Sequence, residues 1–103
     1  MTVTPANFDA RTQWPKFVHS VRDQQKCGSC WAFGASEAFS DRLAIASAGK
    51  INVVLSPEDL VSCDTGDYGC GGGYMEHAWE YLLNEGIVAD TCFPYTAGTG
   101  VEA

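Results

Sequence analysis

Residues 24–33 read QQKCGSCWAF, and they place Cys27 and Cys30 three positions apart where a polar loop meets an apolar segment. Beyond this point apolar residues recur at helical spacing, which predicts a helix over residues 29–48. Ser29 is suited to cap the start of this helix, and Gly49 is suited to end it. Cys30 therefore lies where unpaired backbone N–H groups and the helix dipole favour the thiolate, which is the nucleophilic form of cysteine.

The spacing of the two cysteines alone leaves three kinds of site open: a nucleophile beside a structural disulfide, a redox pair of the C-x-x-C type, or half of a zinc site. Zinc is disfavoured, because Cys63 and Cys70 are seven positions apart and His19 and His77 follow no ligand pattern. A redox pair is disfavoured because residues 22–26, which precede the motif, are polar and do not resemble a buried strand. We expect no metal and no cofactor.

The segments at the two ends of the chain show weak regular patterns. Residues 1–26 are expected to form an irregular arm, because Pro5 and Pro15 interrupt regular structure. Residues 87–103 are expected to be coil, with a short strand near residues 93–95 and a frayed tail after it.

Residues 56–86 are expected to form two short helices separated by a glycine-rich loop. Ser56 suits the N-cap of the first helix, and Pro57 suits its first turn. The second helix is expected to begin at Tyr74 or the residue after it and to end before Gly86. Together with the long helix, these elements predict one mainly α domain.

Composition narrows the class of protein. The chain has 103 residues, of which 46% are hydrophobic and 18% charged, so it suits one folded domain and not a disordered segment. A formal net charge of −7 disfavours binding to nucleic acid or to an anionic membrane surface. Five cysteines indicate an oxidising compartment, and an odd number leaves at least one thiol over if the others pair within the chain. The first residues lack the features of a secretory leader.

Four ordered motifs together identify a family resemblance. They are QQKCGSCWAF at 24–33, LSPEDLVSC at 55–63, CGGGY at 70–74 and FPY at 93–95. The set resembles the papain-like cysteine proteases over about residues 7–96, and residues 34–42 look most like the cathepsin B branch. The family fold is α+β, and the resemblance implies that this chain is its left, mainly α domain, with the right domain absent.

The resemblance implies a catalytic role for two residues. Cys30 matches the nucleophile that forms an acyl-enzyme, and Gln24 matches the side chain that joins the Cys30 backbone N–H in the oxyanion hole. Gln25 stands where the family commonly has glycine. The general base of the family is a histidine oriented by an asparagine, about 130–150 residues after the nucleophile. Too few residues follow Cys30 here, so we expect both to be missing from this chain.

The resemblance also implies a peptide-binding strip and a disulfide framework. Gly72 and Gly73 match the strip that pairs with an extended substrate, because the lack of side chains allows close approach. One wall of the pocket for the second substrate residue matches Tyr74 and Met75.

Cys27 and Cys70 match a family disulfide. In cathepsin B-like members the equivalents of Cys63 and Cys92 pair with cysteines further downstream, which leaves a Cys63–Cys92 pair as the option within this chain.

The implied activity is cathepsin B-like cleavage of peptide bonds through Cys30. Two alternatives stay open: a truncated or minimal domain that binds extended peptides or self-associates without conventional catalysis, and a thiol–disulfide oxidoreductase. The implied partners are peptide or protein substrates, and also the missing right domain or a second copy of the chain. The implied location is a lysosome, another acidic vesicle or the extracellular space, with the leader and propeptide outside this chain.

Overall fold

The computed structural model describes residues 4–100, which form a mainly helical domain as predicted. Its α-helices are α1 (Ala10–Gln13), α2 (Cys30–Ala46), α3 (Pro57–Cys63) and α4 (Met75–Asn84). Two short 3₁₀ turns span Gly69–Gly71 and Ala97–Thr99. Within residues 4–100 the β structure is limited to one isolated antiparallel bridge between Leu55 and Ala89. The first three residues of the predicted arm and the last three of the predicted tail lie outside the described range.

The long helix α2 starts where the sequence predicts and ends slightly earlier. Its last residue is Ala46, because Ala48 and Gly49 adopt left-handed backbone angles with φ of 54° and 84°. The Gly49 N–H then donates to the Ala44 carbonyl at 2.8 Å and closes the helix end. The predicted side-chain cap at Ser29 is wrong, since that hydroxyl bonds to Tyr95 instead.

The two shorter helices follow their local signals. Ser56 Oγ accepts from the Asp59 N–H at 3.0 Å, and Pro57 occupies the first turn, so the predicted N-cap of α3 is confirmed. α4 begins at Met75 and is followed by Gly86 in a left-handed conformation with φ of 80°.

The core lies where α2 packs against both α3 and α4. α2 presents small residues on this side, and Ala32 and Ala35 are fully buried, so its neighbours can approach closely. Leu60 of α3 and Ala78 of α4 are also fully buried in the same cluster. Burying a leucine side chain contributes about 1.5–3 kcal/mol, so this contact is a major source of stability.

Both predicted coil segments are more ordered than expected. The arm contains α1, capped by Asp9, and His19 ties the arm to Asp41 of α2 through Nδ1 at 2.6 Å. The predicted strand near residues 93–95 is wrong, and so is fraying at residues 96–100, because Ala97 and Gly98 are buried. Among the helices within residues 4–100, none is both long and apolar enough to cross a lipid bilayer.

Candidate active site

Cys30 is the first residue of α2, and its thiol is free and exposed. A first-turn N–H has no carbonyl one turn earlier to bond with, so the backbone here can donate to an incoming oxygen. The helix dipole favours negative charge at the same end. The adjacent Trp31 side chain is buried and donates from Nε1 to the Gly69 carbonyl at 3.0 Å, which anchors this end of α2.

The loop that leads to Cys30 is pinned by a disulfide between Cys27 and Cys70, with a Cα–Cα distance of 4.6 Å. The Gly28 N–H donates to the Cys70 carbonyl at 3.0 Å. A Cβ on Gly28 would lie 2.5 Å from that carbonyl oxygen, so only glycine fits. The structure thus contains the disulfide that the resemblance implies. Since Cys27 is bonded to Cys70 and Cys30 is free, the redox-pair hypothesis is not supported.

Gln24 lies on the same loop with both its backbone and its side chain engaged. Its Nε2 donates to the Cys27 carbonyl at 2.9 Å, and its carbonyl accepts from the Tyr95 hydroxyl at 2.6 Å. The next residue, Gln25, has a left-handed φ of 58°. Glycine adopts this conformation at no steric cost, whereas a residue with a Cβ, such as Gln25, is strained in it. The Asp23 carboxylate offsets part of the cost by accepting from the Gln25 N–H at 2.8 Å.

The two glycines of the predicted substrate strip differ in their surroundings. Gly72 has φ of 110°, and nothing lies within 4 Å of the position of a Cβ there, so its outer side is open. A Cβ on Gly73 would lie 2.7 Å from Trp31 and 2.8 Å from Asp67 Oδ1. Gly73 is therefore needed for packing against the first turn of α2, whereas Gly72 leaves room for another chain.

The predicted pocket wall is on the surface at the start of α4. Tyr74 is 63% exposed and Met75 is 41% exposed. They line a shallow pocket of about 460 Å³ together with Glu76 and His77. The Met75 methyl group lies 3.3 Å from the position of a Cβ on Gly34, so Gly34 lets this side chain lie against α2.

A buried acidic pair behind the strip is a feature that the sequence pattern did not indicate. Asp67 Oδ1 accepts from the Tyr74 N–H at 2.7 Å and lies 3.3 Å from His77 Nδ1, and the Asp67 side chain is fully buried. Burial, followed by the neighbouring Asp67 carboxylate, raises the pKa of Asp64 to about 6. Asp64 Oδ2 and Asp67 Oδ2 are both buried and without a hydrogen-bond partner. Two acids three positions apart in a glycine-rich loop normally indicate a solvated turn, so no sequence signal distinguished them.

Both histidines of the chain have partners away from the thiol. His19 contacts Asp41 through Nδ1 and Asn52 Oδ1 through Nε2, the latter at 2.7 Å. His77 contacts Asp67. Within residues 4–100, neither histidine forms a hydrogen bond or ion pair with Cys30. A cavity of about 730 Å³ lies beside His19, between the arm and residues 52–54 and 89–91.

The predicted disulfide between Cys63 and Cys92 is wrong, because both thiols are free and exposed. Cys63 is the last residue of α3. Cys92 adjoins Phe93, whose carbonyl accepts from Ser56 Oγ at the opposite end of that helix. The two cysteines therefore lie towards opposite ends of α3, whose seven residues span about 10 Å. That length exceeds the roughly 7 Å limit on the Cα separation of a disulfide.

Comparisons with known proteins agree on one family. The model of the papain family cysteine proteases matches residues 4–102. The chain is 56% identical to a cathepsin B-like cysteine proteinase 4 of Caenorhabditis elegans over 86 residues, which is 81% of this chain and 26% of that protein. It is 45% identical to cathepsin B of Dictyostelium discoideum over 97 residues, which is 92% of this chain and 30% of that protein.

The solved structures give the same result. A procathepsin B from Trypanosoma congolense superposes with a TM-score of 0.83 at 32% identity, over 92% of this chain and 33% of that one. The chain thus spans about a quarter to a third of the length of these relatives. The matches give no support to an oxidoreductase or to a non-catalytic binding domain. This chain belongs to the papain family of cysteine proteases, in its cathepsin B-like branch.

Proposed function

We propose that this chain supplies the nucleophile and the oxyanion-binding loop of a cathepsin B-like peptidase. The observation that carries the proposal is the free, exposed Cys30 at the start of α2, on a loop that the Cys27–Cys70 disulfide holds in place. Gln24 is fixed on the same loop and carries the amide donor that the reaction needs. Preorganised donors of this kind stabilise the charge that develops on the substrate oxygen.

The proposed step is nucleophilic attack by the Cys30 thiolate on the carbonyl carbon of a peptide bond. The π electrons of the C=O bond move to oxygen, where the Gln24 amide and the Cys30 backbone N–H donate to the oxyanion. As the carbonyl re-forms, the C–N bond breaks and the amine leaves with a proton, which produces a thioester on Cys30. Water then hydrolyses the thioester and regenerates the thiol.

The amine leaving group needs a proton donor, and neither histidine is placed to supply one. We propose that the whole peptidase draws this donor from a histidine, oriented by an asparagine, outside residues 4–100.

The substrate is an extended peptide along Gly72, with Tyr74 and Met75 beside the side chain of its second residue. An acidic vesicle, such as a lysosome, or a secreted location suits a domain that carries a structural disulfide.

The test separates the attack on the carbonyl from the protonation of the leaving amine. The 103-residue chain is mixed either with a blocked dipeptide p-nitrophenyl ester or with the matching dipeptide amide. A p-nitrophenolate leaving group needs no proton, so we expect a burst of about one equivalent from the ester and no cleavage of the amide. The burst is expected to disappear in Cys30→Ala. A burst of equal size in Cys30→Ala would overturn the proposal.

A further inference from the structure

The segment of residues 93–98, here called the strap, is held against α3 by a buried carboxylate. Glu58 is fully buried, and its Oε1 accepts from the Thr96 N–H at 2.7 Å and from the Ala97 N–H at 2.9 Å. Ser56 Oγ donates to the Phe93 carbonyl at 2.6 Å. Two backbone N–H groups bonded to the same buried carboxylate fix the strap along this side.

The opposite side of the strap faces the loop that carries Gln24. The Lys26 N–H donates to the Gly98 carbonyl at 2.9 Å. A Cβ on Gly98 would lie 2.5 Å from Gln25 Oε1, so the strap and the loop are in close contact. The strap therefore links the buried Glu58 to the loop that precedes the nucleophile.

Tyr95 makes the central contact between strap and loop. Its hydroxyl donates to the Gln24 carbonyl at 2.6 Å and accepts from Ser29 Oγ at 2.9 Å. Its ring packs edge-on against Phe33 of α2, with ring centroids 4.8 Å apart. One hydroxyl thus joins the residue that carries the amide donor to the residue that immediately precedes Cys30.

We propose that Tyr95 is a positioning residue for the oxyanion-binding loop and acts through Gln24. The inference rests on the proposed function, since it assigns Tyr95 a part in orienting a donor which that function requires. The Gln24 side chain donates within its own loop, to the Cys27 carbonyl, and its backbone has the Tyr95 hydroxyl as its support from outside the loop. Without that hydroxyl the amide can turn away from the substrate oxygen while the surrounding fold persists.

The test uses Tyr95→Phe in the 103-residue chain, which keeps the ring against Phe33 and removes both hydrogen bonds of the hydroxyl. Two reagents report on Cys30. The Cys30 sulfur adds to the carbonyl carbon of a blocked dipeptide aldehyde as the C=O π bond breaks, and the thiol proton moves to the oxygen, which accepts a hydrogen bond from the Gln24 amide. Iodoacetamide alkylates the same sulfur by displacing iodide and forms no tetrahedral centre with such an oxygen. Its rate is read at Cys30 by mass spectrometry, because Cys63 and Cys92 are also free and exposed. We expect aldehyde affinity to fall about tenfold and the alkylation rate to change less than twofold.

Gln24→Ala and the double variant are the matched controls. We expect Gln24→Ala to weaken aldehyde binding at least as much as Tyr95→Phe, and the double variant to bind no more weakly than Gln24→Ala, because the hydroxyl acts through the amide. If Gln24→Ala weakens binding and Tyr95→Phe does not, this inference is wrong and the proposed function stands. Equal losses of aldehyde binding and alkylation in Tyr95→Phe would show a general structural role and also overturn it. If Gln24→Ala changes nothing, the proposed oxyanion role fails and this inference fails with it.

Discussion

The acidic pair behind the substrate strip predicts that Asp64→Asn stabilises the domain at neutral pH. The raised pKa of Asp64, about 6 against 3.8 in the unfolded chain, means that the folded state binds the proton more tightly. Asp64 therefore destabilises the folded state least below pH 3.8, and its cost to the free energy of unfolding grows as the pH rises from about 4 to 6. Above pH 6 the full cost is present, because two carboxylates then face each other in a buried site.

The magnitude follows from the difference between the two pKa values. That difference corresponds to at most about 3 kcal/mol, and screening by the solvent around the loop reduces our expectation to about 1–2 kcal/mol. Asparagine keeps the oxygen that accepts from the Gly66 N–H and gains an amide that can donate to Asp67. We expect Asp64→Asn to gain about 1–2 kcal/mol in the free energy of unfolding at pH 7.5, which raises Tm by about 4–16 °C. At pH 4.5 the carboxyl of the unfolded chain is already mostly ionised, so we expect roughly a third of that gain, about 0.3–0.7 kcal/mol.

The assay is urea and thermal unfolding at the two pH values with the Cys27–Cys70 disulfide intact. Glu76→Gln controls for the loss of one negative charge, because Glu76 is exposed in the first turn of α4. We expect that control to change stability by only a few tenths of a kcal/mol. A gain in Asp64→Asn that is equal at pH 4.5 and pH 7.5, or a loss at pH 7.5, would show that the charge of Asp64 does not destabilise the fold.

Three further substitutions test the framework around the thiol. Gly28→Ala forces a Cβ to within 2.5 Å of the Cys70 carbonyl, so we expect a loss of about 1–3 kcal/mol in urea unfolding; no loss would mean that the loop can shift. Gln25→Gly relieves the strain of a left-handed φ of 58°, so we expect the free energy of unfolding to rise by about 0.5–1 kcal/mol. A decrease in urea unfolding would contradict this. Glu58→Gln weakens the bond to the Thr96 N–H, so that amide should exchange with solvent at least tenfold faster, and unchanged exchange would contradict the role of the buried charge.

Predictions that depended on neighbouring residues succeeded. The N-cap of α3 needs only Ser56, Pro57 and the N–H three residues on, so the pattern was sufficient. The end of α4 before Gly86 follows from the same kind of local signal. The disulfide between Cys27 and Cys70 was implied by family motifs, since spacing alone cannot select a pairing.

Predictions that depended on distant residues failed. Ser29 does not cap α2 because its hydroxyl bonds to Tyr95, which is 66 positions away in the chain. A short strand was expected near residues 93–95, and fraying from Thr96 onward because that tail is small and polar. The group that orders this segment is the buried carboxylate of Glu58. Asp67 looks like a surface acid in the sequence and is buried by packing around Gly73.

The role of Cys30 as the nucleophile is tested by the rate at which the dipeptide p-nitrophenyl ester acylates each free thiol within residues 4–100. Cys30, Cys63 and Cys92 are all exposed, so exposure alone predicts similar rates. Mass spectrometry of the digested protein reports the acyl group at each position separately. We expect acylation of Cys30 to be at least tenfold faster than that of Cys63 and Cys92, and this difference to be lost in Gln24→Ala. Equal rates at the three thiols would contradict it.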